Sequence, residues 1–80
     1  MEYMFKGKSP QLHPTVYVAP GVQLIGDIEA AENVSIWFNT VIRADNAKVT
    51  IGKGSNIQDG SILHVDPTFP LVIGEHVTVG

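Results

Sequence analysis

The chain has 80 residues, no cysteine and a formal net charge of −3, which points to one small domain without disulfides or thiolate metal sites. Its Lys and Arg residues form no basic run or stripe, which excludes the usual footprint of a nucleic-acid binder. No apolar stretch approaches the roughly 18 residues of a membrane span, and Met1 to Lys8 lacks the apolar core of a signal peptide, so neither a membrane nor export is expected and the cytoplasm is the default location.

From the N-terminus, residues 1–15 show no regular period and are expected to form an N-terminal cap on the rest of the chain. The remainder, residues 16–80, carries a repeat of six. Starting at Val18, the series runs Val18, Leu24, Ala30, Ile36 and Ile42. It slips by three residues to resume at Ile51, Ile57 and Leu63. A second slip of four, across Asp66 to Pro70, restores it at Ile73 and Val79. Four residues after each of these comes a small or medium-sized residue: Val22, Ile28, Val34, Thr40, Ser55, Ser61 and Val77. Asn46 breaks that second series at the first slip.

A six-residue period is not helical, because an α-helix repeats about every 3.6 residues. It is not a simple alternating strand either, since two positions in six are regularly apolar. A short strand, a bend and a second short strand satisfy it, and three such hexads close a triangular coil. Stacked coils pair their strands in parallel and place the large aliphatics in a central column. The fold class expected is therefore all-β, a parallel β-helix. The alternative is a β-sandwich of short strands, which gives no reason to keep a six-residue register through two insertions. Residues 16–80 supply a little over three coils. The chain ends at Gly80 inside a hexad, so an incomplete β-helix, truncated at its C-terminal end, is expected.

Polar side chains of such a coil face outward. Arg43 follows Ile42 and His64 follows Leu63, so both occupy the same phase of the hexad. The slip of three separates them by one coil plus three residues, which places them side by side on neighbouring coils. A neutral imidazole is a good zinc ligand, although a lone His64 is also consistent with an ordinary surface residue. Arg43, Asp45 and Asp59 could form a charge-assisted network or exposed ion pairs of little energetic weight. Gln58 could orient a bound water or close a turn. His13 and His76 are expected to face solvent, and Asp27, Glu29 and Glu32 to form a solvated face. Trp37 and Phe38 cannot both fit inside a triangular coil and are expected at a subunit contact. Gly52-Lys53-Gly54-Ser55 lacks the spacing and following helix of a phosphate loop.

The segments Ile36-Trp37-Phe38-Asn39, Val41-Ile42-Arg43-Ala44-Asp45, Asn56-Ile57-Gln58-Asp59-Gly60-Ser61-Ile62-Leu63-His64 and Ile73-Gly74-Glu75-His76-Val77 resemble the γ-class carbonic anhydrase-like family, in particular its N-terminal half. The resemblance implies a left-handed coil and a homotrimer, with each metal held between adjacent subunits. It makes His64 the first of three zinc-ligating histidines, the other two lying beyond Gly80. Gln58 then sits near the metal-bound solvent, while Arg43, Asp45 and Asp59 line the site and tie subunits together. The implied reaction is hydration of CO2 to bicarbonate on zinc, with iron or cobalt as alternative metals. Two departures qualify it. Asn46 stands where well-studied members carry a glutamate, and Val65 to Pro70 differs from their acidic loop. The same fold also hosts hexapeptide acyltransferases, where an interfacial histidine is a base, and non-catalytic trimeric scaffolds. By this reading the 80 residues alone are inactive.

Overall fold

The computed structural model covers residues 1–80 and contains strands and turns without a helix. Ten strands run in order: β1 (Glu2–Tyr3), β2 (Gln11–Leu12), β3 (Tyr17–Val18), β4 (Gln23–Ala30), β5 (Ser35–Ile36), β6 (Val41–Ile51), β7 (Asn56–Ile57), β8 (Ile62–His64), β9 (Leu71–Ile73) and β10 (Thr78–Val79). Every strand pairing is parallel. Connections of about one coil return each strand beside its predecessor, which is the parallel β-helix expected from the period.

Three flat faces result. One carries β1-β4-β6-β8 through the first halves of the two long strands, and the second carries β2, β9 and the second halves of β4 and β6. The third is a four-stranded sheet in the order β10-β7-β5-β3. The six-residue series becomes three stacked columns: Val18, Ile36, Ile57, Val79; Leu24, Ile42, Leu63; and Leu12, Ala30, Ile51, Ile73. Leu24, Ile36, Ile42, Ile51 and Ile57 are completely buried. Each fully buried aliphatic of this size stabilises the fold by roughly 1.5–3 kcal/mol relative to exposure.

The second series fills the corners. Val22, Ile28, Val34, Thr40 and Ser55 are buried. The two hydroxyls are satisfied by neighbouring backbone: Thr40 Oγ1 donates to the Gln58 carbonyl at 2.9 Å, and Ser55 Oγ donates to the Gly74 carbonyl at 2.6 Å while accepting from the Val77 amide at 2.9 Å. At the first slip Val49 takes the corner place, opposite Ile28, so the residues Asp45 to Lys48 bulge outward against Asp27 alone. Gly26 makes this corner possible. Its φ is +85°, and a side chain there would collide with the Ala44 carbonyl.

The first 15 residues also enter the coil. β1 and β2 add to β4 in register, Glu2 opposite Leu24 and Leu12 opposite Ala30. Between them Phe5 and Lys8 form an antiparallel bridge, as Asp66 and Phe69 do at the second slip. The hairpin shifts the phase, and Glu2 occupies a column position, so the repeat is invisible in this stretch of sequence.

Candidate functional site

The first face aligns Tyr3, Ile25, Arg43 and His64 in one outward column. Arg43 and His64 are direct register partners on β6 and β8, as equal hexad phase requires. Asp45 lies two residues beyond Arg43, at the start of the bulge, and turns back to both. Arg43 Nη2 donates to Asp45 Oδ2 at 3.2 Å, and His64 Nε2 faces Asp45 Oδ1 at 3.6 Å. The second distance is too long for a hydrogen bond, so His64 and Asp45 face each other without one. Asp45 Oδ1 is buried and has no hydrogen-bond partner, which leaves an acceptor available to an added donor.

Burial pushes the Asp45 carboxyl up, but the Arg43 hydrogen bond and charge outweigh it and hold the group below the usual carboxylate range. The side chains of Arg43 and His64 are about half exposed. The cluster is therefore an open surface site with an ionised carboxylate at its base.

The other expected site residues lie apart. Gln58 caps β7: its amide donates to the Val79 carbonyl at 2.8 Å, and its side chain donates to Asn56 Oδ1. Asp59 is exposed on the turn that leads to β8. No hydrogen bond or ion pair joins either residue to the Arg43–Asp45–His64 cluster. Gly52 to Ser55 forms a corner turn closed by the Ser55 amide on the Gly52 carbonyl at 3.2 Å. Tyr17, Trp37 and Phe38 form an outward aromatic cluster, with ring centroids 5.1 and 6.3 Å apart in succession.

No group of three or more His, Cys, Asp or Glu side chains that could hold a metal ion occurs in the chain. A zinc site needs at least three protein ligands, so one copy of these residues contributes a single imidazole and does not complete such a site.

Sequence reasoning missed the surroundings of Asp45. A cleft of about 440 Å³ opens beside it, lined by Phe5, Lys6 and Lys8 of the first hairpin, by Asp27 and Asn46, and by Pro67 of the second hairpin. The signal available was Lys6-Gly7, whose φ values of 51° and 77° suit the tip of a tight hairpin.

No family model matches the chain. It is similar to a carbonic anhydrase of Geobacillus kaustophilus, 51% identical over 80 residues that cover 100% of this chain and 44% of the relative. It is also similar to an uncharacterized transferase of Bacillus subtilis, 42% identical over 80 residues, covering 100% of this chain and 47% of that protein. Among solved structures, a putative acetyltransferase of Bacillus cereus superposes with a TM-score of 0.98 at 42% identity, covering 100% of this chain and 46% of that one. The chain spans about half the length of the curated relatives it matches. It also matches a mitochondrial γ carbonic anhydrase of Arabidopsis thaliana, 40% identical over 79 residues that cover 91% of this chain and 28% of that protein. Over its length it thus corresponds to part of the γ-class carbonic anhydrase-like hexapeptide-repeat proteins.

Proposed function

We propose that these residues are part of a metal-dependent carbonic anhydrase-like lyase that interconverts CO2 and bicarbonate in the cytoplasm. The observation that carries the reading is Asp45 held between Arg43 and His64 on one wall, in a chain 51% identical to a protein named carbonic anhydrase. Zinc is the group the reading requires, with iron or cobalt as alternatives, and the donors besides His64 would come from residues outside these 80 or from a neighbouring copy. Such an ion supplies Lewis acidity that makes water nucleophilic near neutral pH.

The chain's own residues hold and orient the donor. His64 presents an imidazole from the end of β8, beside Arg43 on β6. Asp45 lies on the Nε2 side of that ring, and Arg43 hydrogen-bonds Asp45 and keeps it ionised. Homotrimeric assembly belongs to the same reading, because a site that is open on one coil wall needs a second wall. Gln58 and Asp59 enter it only if they meet the cluster of an adjacent subunit. The test is zinc content and CO2 hydration of a longer protein carrying these residues, against its His64→Ala variant. Zinc-dependent turnover lost in the variant supports the reading, and turnover that survives thorough chelation sinks it.

A second reading is favoured by the transferase names of similar proteins. There His64 acts as a base towards an acyl acceptor, and no metal is needed. Acyl transfer that persists after chelation and vanishes in His64→Ala would favour it.

A further inference from the structure

The cleft beside Asp45 is formed by loops from three coils. Phe5, Lys6 and Lys8 of the first hairpin, Asp27 with Ala44 to Ala47 of the two long strands, and Pro67 of the second hairpin line it. Its charges are unequally committed. Asp45 is bonded to Arg43 at 3.2 Å, and Lys48, next in sequence to the lining residue Ala47 but outside the cleft, is bonded to Glu29 at 2.9 Å. Lys6 and Lys8 have no carboxylate partner. Lys6 Nζ instead lies 5.5 Å from the Phe5 ring centroid. Two uncommitted cations at one cleft run against the −3 charge of the whole chain. Asp45 is a shared wall, since it lines the cleft and faces His64.

We propose that this cleft is an anion subsite adjoining the His64 centre, in which Lys6 and Lys8 hold a small oxyanion of the bicarbonate type. Choosing bicarbonate rests on the function proposed above; the subsite itself rests on the cleft and its free lysines. An ammonium is a mobile point charge suited to a small, freely oriented anion. The volume of about 440 Å³ leaves room for the anion with part of its water shell. Asn46 adds a side-chain amide donor to the lining. Asp27 opposes the anion, which makes Lys6 and Lys8 necessary for binding and keeps the affinity modest.

Isotope-edited NMR titration of the chain with sodium bicarbonate, sodium acetate and sodium chloride tests this. Bicarbonate should give saturable shifts at the amides of Lys6, Lys8 and Asn46, and chloride should not. The Lys6→Gln/Lys8→Gln variant should bind about tenfold more weakly, the scale of losing a charge-assisted bond. The Lys6→Arg/Lys8→Arg variant should retain binding, and Asp27→Asn should tighten it. Strand circular dichroism checks each fold. If the Gln variant unfolds, an affinity unmoved by Asp27→Asn overturns the proposal. Shifts equal for chloride, shifts undiminished in a folded Gln variant, or a response to acetate alone also overturn it. Bicarbonate binding here without CO2 hydration by the longer, metal-loaded protein would remove the lyase reading and leave the subsite. Hydration without a bicarbonate response at Lys6 and Lys8 would do the reverse.

Discussion

Asp45 shows how one residue joins structure to chemistry. Its carboxyl is held below the ordinary carboxylate range, burial notwithstanding, by the Arg43 hydrogen bond and charge and by His64. A depressed pKa means that the folded state binds the proton less readily than the unfolded chain. The stabilisation from Asp45 is thus present above the ordinary value of 3.8 and is lost as pH falls through the lower folded value. In Asp45→Asn, urea unfolding below pH 4 should show a shallower loss of stability than in the parent, while the two curves run parallel above pH 6. A parallel acid limb in both would show that Arg43 does not act on Asp45. His64→Ala should leave unfolding nearly unchanged, because the side chain is about half exposed and surface substitutions usually stay within about ±0.5 kcal/mol.

At the level of the strands, the coils are joined by stacked aliphatics and by hydroxyls seated in the corners. Ser55→Ala would leave the Gly74 carbonyl and the Val77 amide without their partner. Gly74 and Val77 are exposed residues, so water takes over part of their bonding, and the loss expected in denaturant unfolding is the net worth of a hydrogen bond, about 0.5–1.5 kcal/mol. Ile42→Ala empties the column between Leu24 and Leu63 and should cost about 2–5 kcal/mol. Gly26→Ala should be poorly folded, since φ of +85° and the Ala44 carbonyl both exclude a side chain. β4 and β6 each pair on both sides, whereas β10 pairs only with β7. Amide exchange should therefore be slowest in β4 and β6 and fastest in β10, because a solenoid opens from its ends.

For the whole molecule, the decisive feature is that one coil wall carries a single imidazole. A copy of these 80 residues should bind zinc at well below one ion per chain and show no CO2 hydration, measured by metal analysis and stopped-flow pH change. Stoichiometric zinc with turnover would refute this. The first face also displays Tyr3 and Ile62, the latter 73% exposed, beside Arg43 and His64. An apolar and ionic surface of this kind suits a contact between subunits. Sedimentation of the longer protein as a monomer at micromolar concentration would count against a shared site.

The hexad alone determined the coil, the inward columns and the placement of Arg43 beside His64. Side chains that recur every six residues have only one way to share a core, and equal phase fixes their neighbours. It did not determine the first coil, because the Phe5–Lys8 hairpin breaks the phase and Glu2 occupies an aliphatic place. It also left the corner at the first slip without an occupant, since Asn46 breaks the second series there; the structure seats Val49 opposite Ile28 and loops out Asp45 to Lys48. How far Asp45 swings towards Arg43 and His64, why Gln58 and Asp59 stay apart from them within one chain, and that Lys6 and Lys8 stand over the same cleft were decided only by tertiary structure. A repeat specifies the residues that obey it, whereas the insertions between repeats take their positions from the coils stacked above and below.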